Sequence, residues 1–378
     1  MDRTWIDAMI IPWPQKGRGA GGPCVWEEAM VNPVPPAGLS GQTCAVTFAD
    51  ATGDGSRVVR VAPGSFVRKP SDPTADRDIF DGWYLGDATT AFDFAGTPIT
   101  GDITLTARWT PAVASVTVGG KKALYTTLNG ASQAAVADGV SEATITILRS
   151  YDLPASEGTW EITGRGHDKS KVVVVNDYDV DFTNHVSTNE TSGLMSVAIN
   201  GATVVFKGSG KYTRNAGTHS MFEVGAGTDD KSAITTESAA YAVVEVQGCE
   251  YQHRLGTAAA HVWNVQNGTI TFNGGTVLNM YNAGSSKYCV RAEKSEVGAG
   301  TGVGSVVVNG GSFESWNSKQ PLFCKDGGTV SITGLCETRF YKTSEASITA
   351  MSGYLASGLV FEDRDVDGKT WSYVVKES

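Results

Sequence analysis

Four aromatic side chains lie close to asparagines in the C-terminal half of this 378-residue chain, a combination suited to sugar binding. The aromatic residues are Trp263, Tyr281, Tyr288 and Trp316, and the amides are those of Asn264, Asn279, Asn282 and Asn317. An exposed aromatic ring stacks on a sugar ring, while an amide hydrogen-bonds the sugar hydroxyls. The four aromatic residues are therefore the predicted glycan-binding residues. The alternative is that their rings fold back over neighbouring strands and cover them.

Three aspartates form the second candidate site. Asp177, Asp179 and Asp181 alternate with Tyr178 and Val180, so on a strand the carboxylates share one face at steps of about 6.6 Å. That spacing overlaps the separation of about 6.5–9.5 Å between the carboxylates of inverting glycosidases, but any two acidic residues two positions apart on a strand meet it. The pattern favours a solvated acidic face, and the three aspartates are only weak candidates for binding calcium.

A further acidic motif, residues 363–368, reads Asp-Arg-Asp-Val-Asp-Gly and matches the first half of a calcium-binding loop. The twelfth position of that loop is Val374 instead of a bidentate glutamate, so the motif favours a turn. The five histidines show no metal-binding or nucleophile-and-base spacing. The sequence therefore predicts no catalytic residue, no metal site and no cofactor.

The composition predicts a folded, all-β protein with little helix. The chain is 41% hydrophobic and has 45 glycines, with many valines and threonines. A net charge of −10 without a run of Lys or Arg argues against nucleic acid and anionic membranes as main partners. No apolar run approaches the ~18 residues of a membrane span, so no membrane insertion is expected. The six cysteines lack CxxC spacing and are predicted to be buried and reduced, with disulfides as the alternative.

A short phrase with apolar first and third residues, ending in a polar residue and glycine, occurs five times. The copies are residues 204–208, 244–248, 270–274, 306–310 and 330–334. Their glycines are 40, 26, 36 and 24 residues apart, so a strand of constant phase recurs while the connecting loops vary in length. This pattern predicts coils that stack on one another through backbone hydrogen bonds, with residues such as Ile270 and Phe272 inside.

Residues 1–43 are predicted to be an extended arm rich in Trp, Pro and Gly. Trp5, Trp13 and Trp26 are large apolar anchors in a segment with too little regular pattern to build its own core. The arm is expected to attach the protein to a partner, and the alternative is a strap across the neighbouring domain. The uninterrupted apolar stretch directly before Pro12 has only four residues, which is too short for a secretory signal.

Residues 44–110 form a separate β module with an aromatic core. The characteristic residues are Val46 to Phe48, Gly64, Pro70, Pro73, Phe80 to Tyr84 and Leu105 to Trp109. This pattern resembles the internalin-type B repeat, also called the Listeria-Bacteroides repeat. It departs from the family at Asp78-Ile79, where the family usually has Gly-Tyr. The resemblance implies a small β-grasp-like module of bacterial surface proteins, used for spacing or binding instead of catalysis.

Residues 111–378 are predicted to be the stack of coils. Leu124, Leu128, Ala131 and Ala135 recur at helical spacing and predict a short helix that covers the open end of the stack. A strand at 143–148 and glycine-punctuated strands follow. This order resembles the pectate-lyase-like right-handed parallel β-helix of bacterial surface proteins and phage fibres or spikes. Asp367-Gly368, between two apolar segments, predicts a closing hairpin.

Together these features favour a non-catalytic structural or binding protein displayed on a surface. The preferred interpretation is a phage virion appendage, such as a head or tail fibre or a decoration protein, located on the virion surface and attached by its arm. Its expected partners are virion structural proteins or bacterial cell-surface glycans, and a homo-oligomer is expected because several copies strengthen weak glycan binding. The alternatives are a bacterial cell-surface adhesin whose signal peptide is missing and, less favoured, a polysaccharide lyase or hydrolase.

Overall fold

The computed structural model describes most of the chain beyond residue 40. The described residues are 41–50, 56–157, 160–162, 171–183, 195–197, 202–214, 220–225, 242–254, 261–280, 288–297, 300–316, 322–335, 338–341, 348 and 350–378. Among them, no helix is long and apolar enough to cross a membrane.

The described residues are mostly strands. In chain order these are β1 (Cys44–Ala49), β2 (Arg57–Val61), β3 (Asp78–Leu85), β4 (Ile103–Pro111), β5 (Ala114–Val118), β6 (Lys121–Tyr125), β7 (Glu142–Ile147), β8 (Tyr151–Asp152), β9 (Lys171–Val175), β10 (Asp179–Asp181), β11 (Met195–Val197), β12 (Thr203–Lys207), β13 (Lys211–Arg214), β14 (Phe222–Val224), β15 (Ala242–Val246), β16 (Glu250–His253), β17 (Trp263–Val265), β18 (Gly268–Asn279), β19 (Val290–Val297), β20 (Gly300–Ser315), β21 (Phe323–Asp326), β22 (Thr329–Ile332), β23 (Thr338–Tyr341), β24 (Leu359–Val366) and β25 (Lys369–Lys376). Helix α1 (Leu128–Ala135) and two short 3₁₀ helices, Ala155–Glu157 and Ser352–Tyr354, accompany them in the described part of the chain.

The first four strands form a separate sheet in the order β2-β1-β4-β3, with β1 and β4 parallel at its centre. Phe48, Trp83 and Leu105 are buried in its core. Gly82 lies at a bulge between β3 and β4 with a φ of 139°, a conformation that other residues rarely adopt. This geometry explains the glycine in the Phe-x-Gly-Trp-Tyr pattern.

The remaining strands form a 21-stranded sheet dominated by three parallel ladders. Ladder one consists of β7, β9, β12, β15, the first part of β18 and of β20, and β22. Ladder two consists of β8, β10, β13, β16, the second part of β18 and of β20, and β23. Ladder three consists of β11, β14, β17, β19 and β21. Successive chain segments therefore contribute strands to the same ladders in the same order.

The repeated glycine phrase produces ladder one. Val204, Val244, Ile270, Val306 and Val330 pair in succession, each with the next, so the five copies stack in register as predicted. The glycine that ends each copy is required by the close approach of the neighbouring copy. A Cβ atom on Gly248 would lie 2.4 Å from the Gly208 carbonyl oxygen, where no side chain fits.

Large aromatic side chains fill the space between the ladders. Phe206, Tyr212, Phe222, Trp263 and Phe313 are all fully buried. Neighbouring rings contact one another, with the Phe222 and Trp263 centroids 4.3 Å apart in a stacked arrangement. Burial of these rings supplies the hydrophobic stabilisation that holds the short strands together.

Helix α1 lies over the N-terminal end of the ladders. The Thr127 hydroxyl caps it by accepting a hydrogen bond of 3.0 Å from the Gly130 N–H. Leu128, Ala131 and Ala135 are fully buried against the core, which confirms the predicted apolar stripe. Leu124, which the spacing placed on the same helix, instead lies in β6, before the cap.

Strands β24 and β25 form the predicted hairpin at the C-terminal end. Asp367 and Gly368 make the two-residue turn with φ angles of 53° and 75°. The turn interpretation of residues 363–368 is therefore confirmed. Two aspartates of the motif are engaged within the hairpin, because Asp363 accepts a hydrogen bond from Ser372 Oγ (2.5 Å) and Asp365 accepts one from Thr370 Oγ1 (2.7 Å).

Arg149 joins the N-terminal sheet to the ladders. Its guanidinium donates to the carbonyl oxygens of Ala112 and Arg77, each at 2.8 Å, and to the Asp78 carboxylate at 2.9 Å. Nearby, Arg77 donates to the Tyr178 hydroxyl at 2.8 Å. Since β4 ends at Pro111 and β5 begins at Ala114, the two sheets meet with almost no linker.

Candidate ligand-binding surface

Two of the predicted glycan-binding residues lie at one corner of the stacked strands, where β18 and β20 end. The backbone N–H of Trp316 donates to the Asn279 carbonyl oxygen (2.9 Å), and the side-chain amide of Asn279 donates to the Tyr288 carbonyl oxygen (3.1 Å). Asn279 is itself only 1% exposed, so its amide fixes this corner and does not face a ligand.

Trp316 presents its ring to solvent in a fixed orientation. The side chain is 39% exposed, and its indole N–H donates to Glu314 Oε1 at 3.0 Å. The same oxygen accepts a hydrogen bond of 2.6 Å from the Lys369 ammonium. The side chain of Glu314 is only 12% exposed, so this ion pair is partly shielded from water and positions the indole better than a fully exposed pair would.

One further aromatic ring, that of Tyr341, continues this surface across the outer face of ladder two. The Lys369 ammonium lies 5.0 Å from the Tyr341 ring centroid. The neighbouring Trp371 ring, 5.6 Å from that of Tyr341, is buried at 6% exposure and supports the surface from below. We call the set of Trp316, Glu314, Lys369 and Tyr341 the Trp316 patch. It combines an exposed ring with a carboxylate and an ammonium group, a combination that can stack on a sugar and exchange hydrogen bonds with its hydroxyls.

The prediction for Trp263 is wrong, because this residue is completely buried. Trp263 begins β17, where it lies between Phe222 and Val290 of the neighbouring strands and faces the interior. The neighbouring Asn264 is also buried, at 3% exposure. The alternative interpretation, a ring that folds back over neighbouring strands, describes Trp263 better than sugar binding does. However, the ring lies inside the stack and not over its edge.

Tyr288 is half-buried and lies parallel to the His261 ring, with centroids 5.3 Å apart. The Tyr288 N–H donates to His261 Nδ1 at 3.1 Å. Tyr288 therefore offers part of one ring face at the corner held by Asn279. Tyr281, Asn282, Asn317 and the arm residues Trp5, Trp13 and Trp26 lie outside the described residues.

The three aspartates do not converge on a common point. Asp177 accepts hydrogen bonds from the Ser209 N–H (2.9 Å) and hydroxyl (3.0 Å), and Asp181 accepts one from the Thr183 N–H (2.7 Å). Asp179 is exposed, and in the strand register of ladder two it lies opposite Lys211 of β13. Over the described ranges, no group of three or more His, Cys, Asp or Glu side chains is placed to hold a metal ion.

A polar network on ladder three escaped the sequence analysis. Arg291 pairs with Glu293 (2.5 Å) and with Asp326, and Glu293 accepts a 3.0 Å hydrogen bond from the Asn264 amide. These contacts raise the pKa of Arg291, although burial acts in the opposite direction. Both carboxylates are bound to one guanidinium, which suits them poorly to act as a general acid and base.

The described cysteines are free thiols, in agreement with the prediction of reduced residues. Cys44, Cys249 and Cys289 are buried and Cys324 is half-buried. Burial, with a contribution from the charge of Asp177, raises the pKa of Cys249 to about 12, and burial also raises the pKa of Cys289. The Cys249 and Cys289 thiols are therefore protonated and unreactive at neutral pH.

Comparison with known families identifies the N-terminal sheet. Residues 45–108 match the Listeria-Bacteroides repeat domain. The match covers β1 to β4 almost completely and supports the B-repeat module predicted from the sequence. Comparisons with curated proteins and with solved structures found no match.

Proposed function

We propose that this chain is a non-catalytic binding protein displayed on an extracellular surface, and that the Trp316 patch binds a saccharide. In this proposal the three ladders wind into a right-handed parallel β-helix that serves as a stiff platform. The B repeat, folded as a β-grasp-like module, serves as spacer or attachment domain. The observation that carries the proposal is the exposed Trp316 ring, held by the Glu314–Lys369 pair on the outer face of ladder two.

The geometry of the patch supports a neutral or weakly charged sugar as ligand. Glu314 and Lys369 largely neutralise each other, so the patch carries no strong net charge that would select a polyanion. The Trp316 ring supplies the apolar face on which a pyranose stacks, while the carboxylate accepts and the ammonium donates hydrogen bonds. Such single sites bind weakly, which fits an oligomer that displays several copies.

The B-repeat match supports display on a surface. Within this proposal the phage virion surface is the preferred setting, with virion proteins and bacterial cell-surface glycans as partners. The bacterial adhesin is its alternative. The carboxylates of the Arg291 network give the polysaccharide lyase or hydrolase interpretation little support, since both are ion-paired.

The test is binding of the full chain to an array of bacterial surface polysaccharides. We expect Trp316→Ala to weaken binding at least tenfold and Trp316→Phe to retain part of it, because a smaller ring still stacks. Leu335→Ala is the matched control, since Leu335 is similarly exposed (37%) but lies outside the patch.

Two results would contradict the proposal. One is equal binding by the wild-type protein and Trp316→Ala, provided that both have the same circular dichroism spectrum. The other is cleavage of the bound polysaccharide, measured as new reducing ends or unsaturated products, which would favour the enzyme interpretation instead.

A further inference from the structure

The β5–β6 hairpin has one face that α1 covers only in part. Ala114 pairs with Tyr125, Val116 with Ala123, and Val118 with Lys121, so these side chains all lie on the same face. The helix contains only eight residues, which limits its length to about 12 Å. It leaves the part of this face nearest the hairpin turn without a cover.

A groove of about 300 Å³ lies at this uncovered part. Its lining is apolar, with Val116, Val118 and Tyr125 from the hairpin and Ala134 from α1. Val118, Tyr125 and Ala134 also pack against the main core, so the groove opens directly onto buried hydrophobic residues. An aromatic side chain in this groove would remove a substantial apolar area from water.

Lys121 gives the groove a positive rim. It lines the groove, is exposed and, within the described part of the chain, has no ion-pair partner. Lys122 pairs with Thr117 on the opposite face of the hairpin, where its ammonium donates to the Asp76 carbonyl oxygen at 2.8 Å. An apolar groove with this rim fits an aromatic residue that is followed by acidic residues.

The chain itself carries such a segment before the first described residue. Trp26 is followed directly by Glu27 and Glu28, whereas Trp5 and Trp13 are not followed by an acidic pair. Fourteen residues separate Trp26 from Gly41, where the described part begins, and such a tether spans up to about 50 Å. That reach exceeds the roughly 30 Å diameter of a small domain.

We propose that Trp26 docks in this groove and that Glu27 or Glu28 pairs with Lys121. The docked segment completes the cover that α1 begins and ties the arm to the junction between the B repeat and the ladders. The residues before Trp26, which include Trp5 and Trp13, then remain available for attachment to a partner. This inference does not depend on saccharide binding by the Trp316 patch.

Zero-length carbodiimide cross-linking of the full chain tests the proposal, because the reagent joins a carboxylate and an amine only when they are in contact. Mass spectrometry is expected to find Glu27 or Glu28 joined to Lys121. Trp26→Ala is expected to lower the yield at least tenfold, whereas Trp13→Ala is the matched control and leaves it unchanged. Lys121→Arg keeps the charge but removes the reactive amine, so it is expected to abolish the link.

Mixing ¹⁵N-labelled and unlabelled chains distinguishes the possible occupants of the groove. Docking within one chain gives cross-linked peptides whose two halves always carry the same isotope, and this result supports the proposal. Docking on a second copy gives mixed-isotope and same-isotope peptides in equal amounts from an equal mixture, and this result would overturn it. Absence of any link to Lys121, while other Lys–carboxylate pairs such as Lys369–Glu314 are linked, would also overturn it.

Discussion

Replacing Gly248 by alanine is expected to destabilise the ladders by about 2–4 kcal/mol. The new Cβ atom would lie 2.4 Å from the Gly208 carbonyl oxygen, whereas ordinary contact begins at 3.4 Å, so the two must separate by about 1 Å. That oxygen also accepts a hydrogen bond of 2.8 Å from the Cys249 N–H, and the same displacement weakens or breaks it. Overpacking costs ~1–3 kcal/mol, and the lost hydrogen bond adds ~0.5–1.5 kcal/mol.

The assay is denaturant unfolding followed by far-ultraviolet circular dichroism. The matched control is Gly353→Ala, because a Cβ atom at Gly353 meets no atom within 4 Å and the backbone there does not require glycine. We expect the control to match the wild-type protein or to exceed it slightly, since alanine restricts the unfolded chain. If Gly248→Ala and Gly353→Ala have the same stability, the close stacking of the repeated phrase is refuted.

Three further predictions concern the core, the thiols and the junction between the sheets. Trp263→Ala is expected to cost about 3–5 kcal/mol in the same unfolding assay, because it empties a fully buried site; an unchanged midpoint would mean that the ring is exposed. The folded-state pKa of Cys249 is raised to about 12, so its thiol ionises first in the unfolded chain, near pH ~8.5. The stability that the neutral thiol contributes is thus complete below pH ~8.5 and is lost, at up to ~1.4 kcal/mol per pH unit, as the pH rises toward 12. Cys249→Ala should weaken this pH dependence of the unfolding free energy, measured at about pH 7.5, 9 and 10. The same pH dependence in the wild-type protein and the variant would count against it. Arg149→Ala is expected to accelerate proteolysis between the two sheets several-fold, because three acceptors lose their donor. The control Arg60→Ala removes only one exposed hydrogen bond and should not change the rate. Equal proteolysis rates for the two variants would show that Arg149 does not hold the junction.

The register of ladder one was predictable from sequence because each copy of the phrase has the same phase and ends in glycine. Stacked strands repeat the same inside-and-outside alternation, and the glycine marks where the next copy passes too closely for a side chain. The closing hairpin was predictable for a related reason, since Asp-Gly favours the positive φ angles that the turn adopts. In both cases the sequence signal lies within a few consecutive residues.

The burial of Trp263 was not predictable, because β17 has only three residues and all three are buried. A strand this short shows no alternation, so its sequence is indistinguishable from that of a loop. The Arg291 network was missed for another reason. Its partners Asn264, Glu293 and Asp326 come from three different strands, and only the register of ladder three brings them together. In the Trp316 patch, likewise, Lys369 arrives from the C-terminal hairpin to pair with Glu314.

The most direct test of the stacked parallel strands is a series of distances along one outward-facing row. Val243, Thr269, Ser305 and Thr329 pair in succession across ladder one. Nitroxide labels are placed on Val243→Cys together with Thr269→Cys, Ser305→Cys or Thr329→Cys, after accessible native cysteines are replaced by serine. Continuous-wave electron paramagnetic resonance is expected to show dipolar broadening that decreases in that order, for separations of about 5, 10 and 14 Å. Equal broadening in all three pairs, or none in the Val243–Thr269 pair, would contradict the parallel stack.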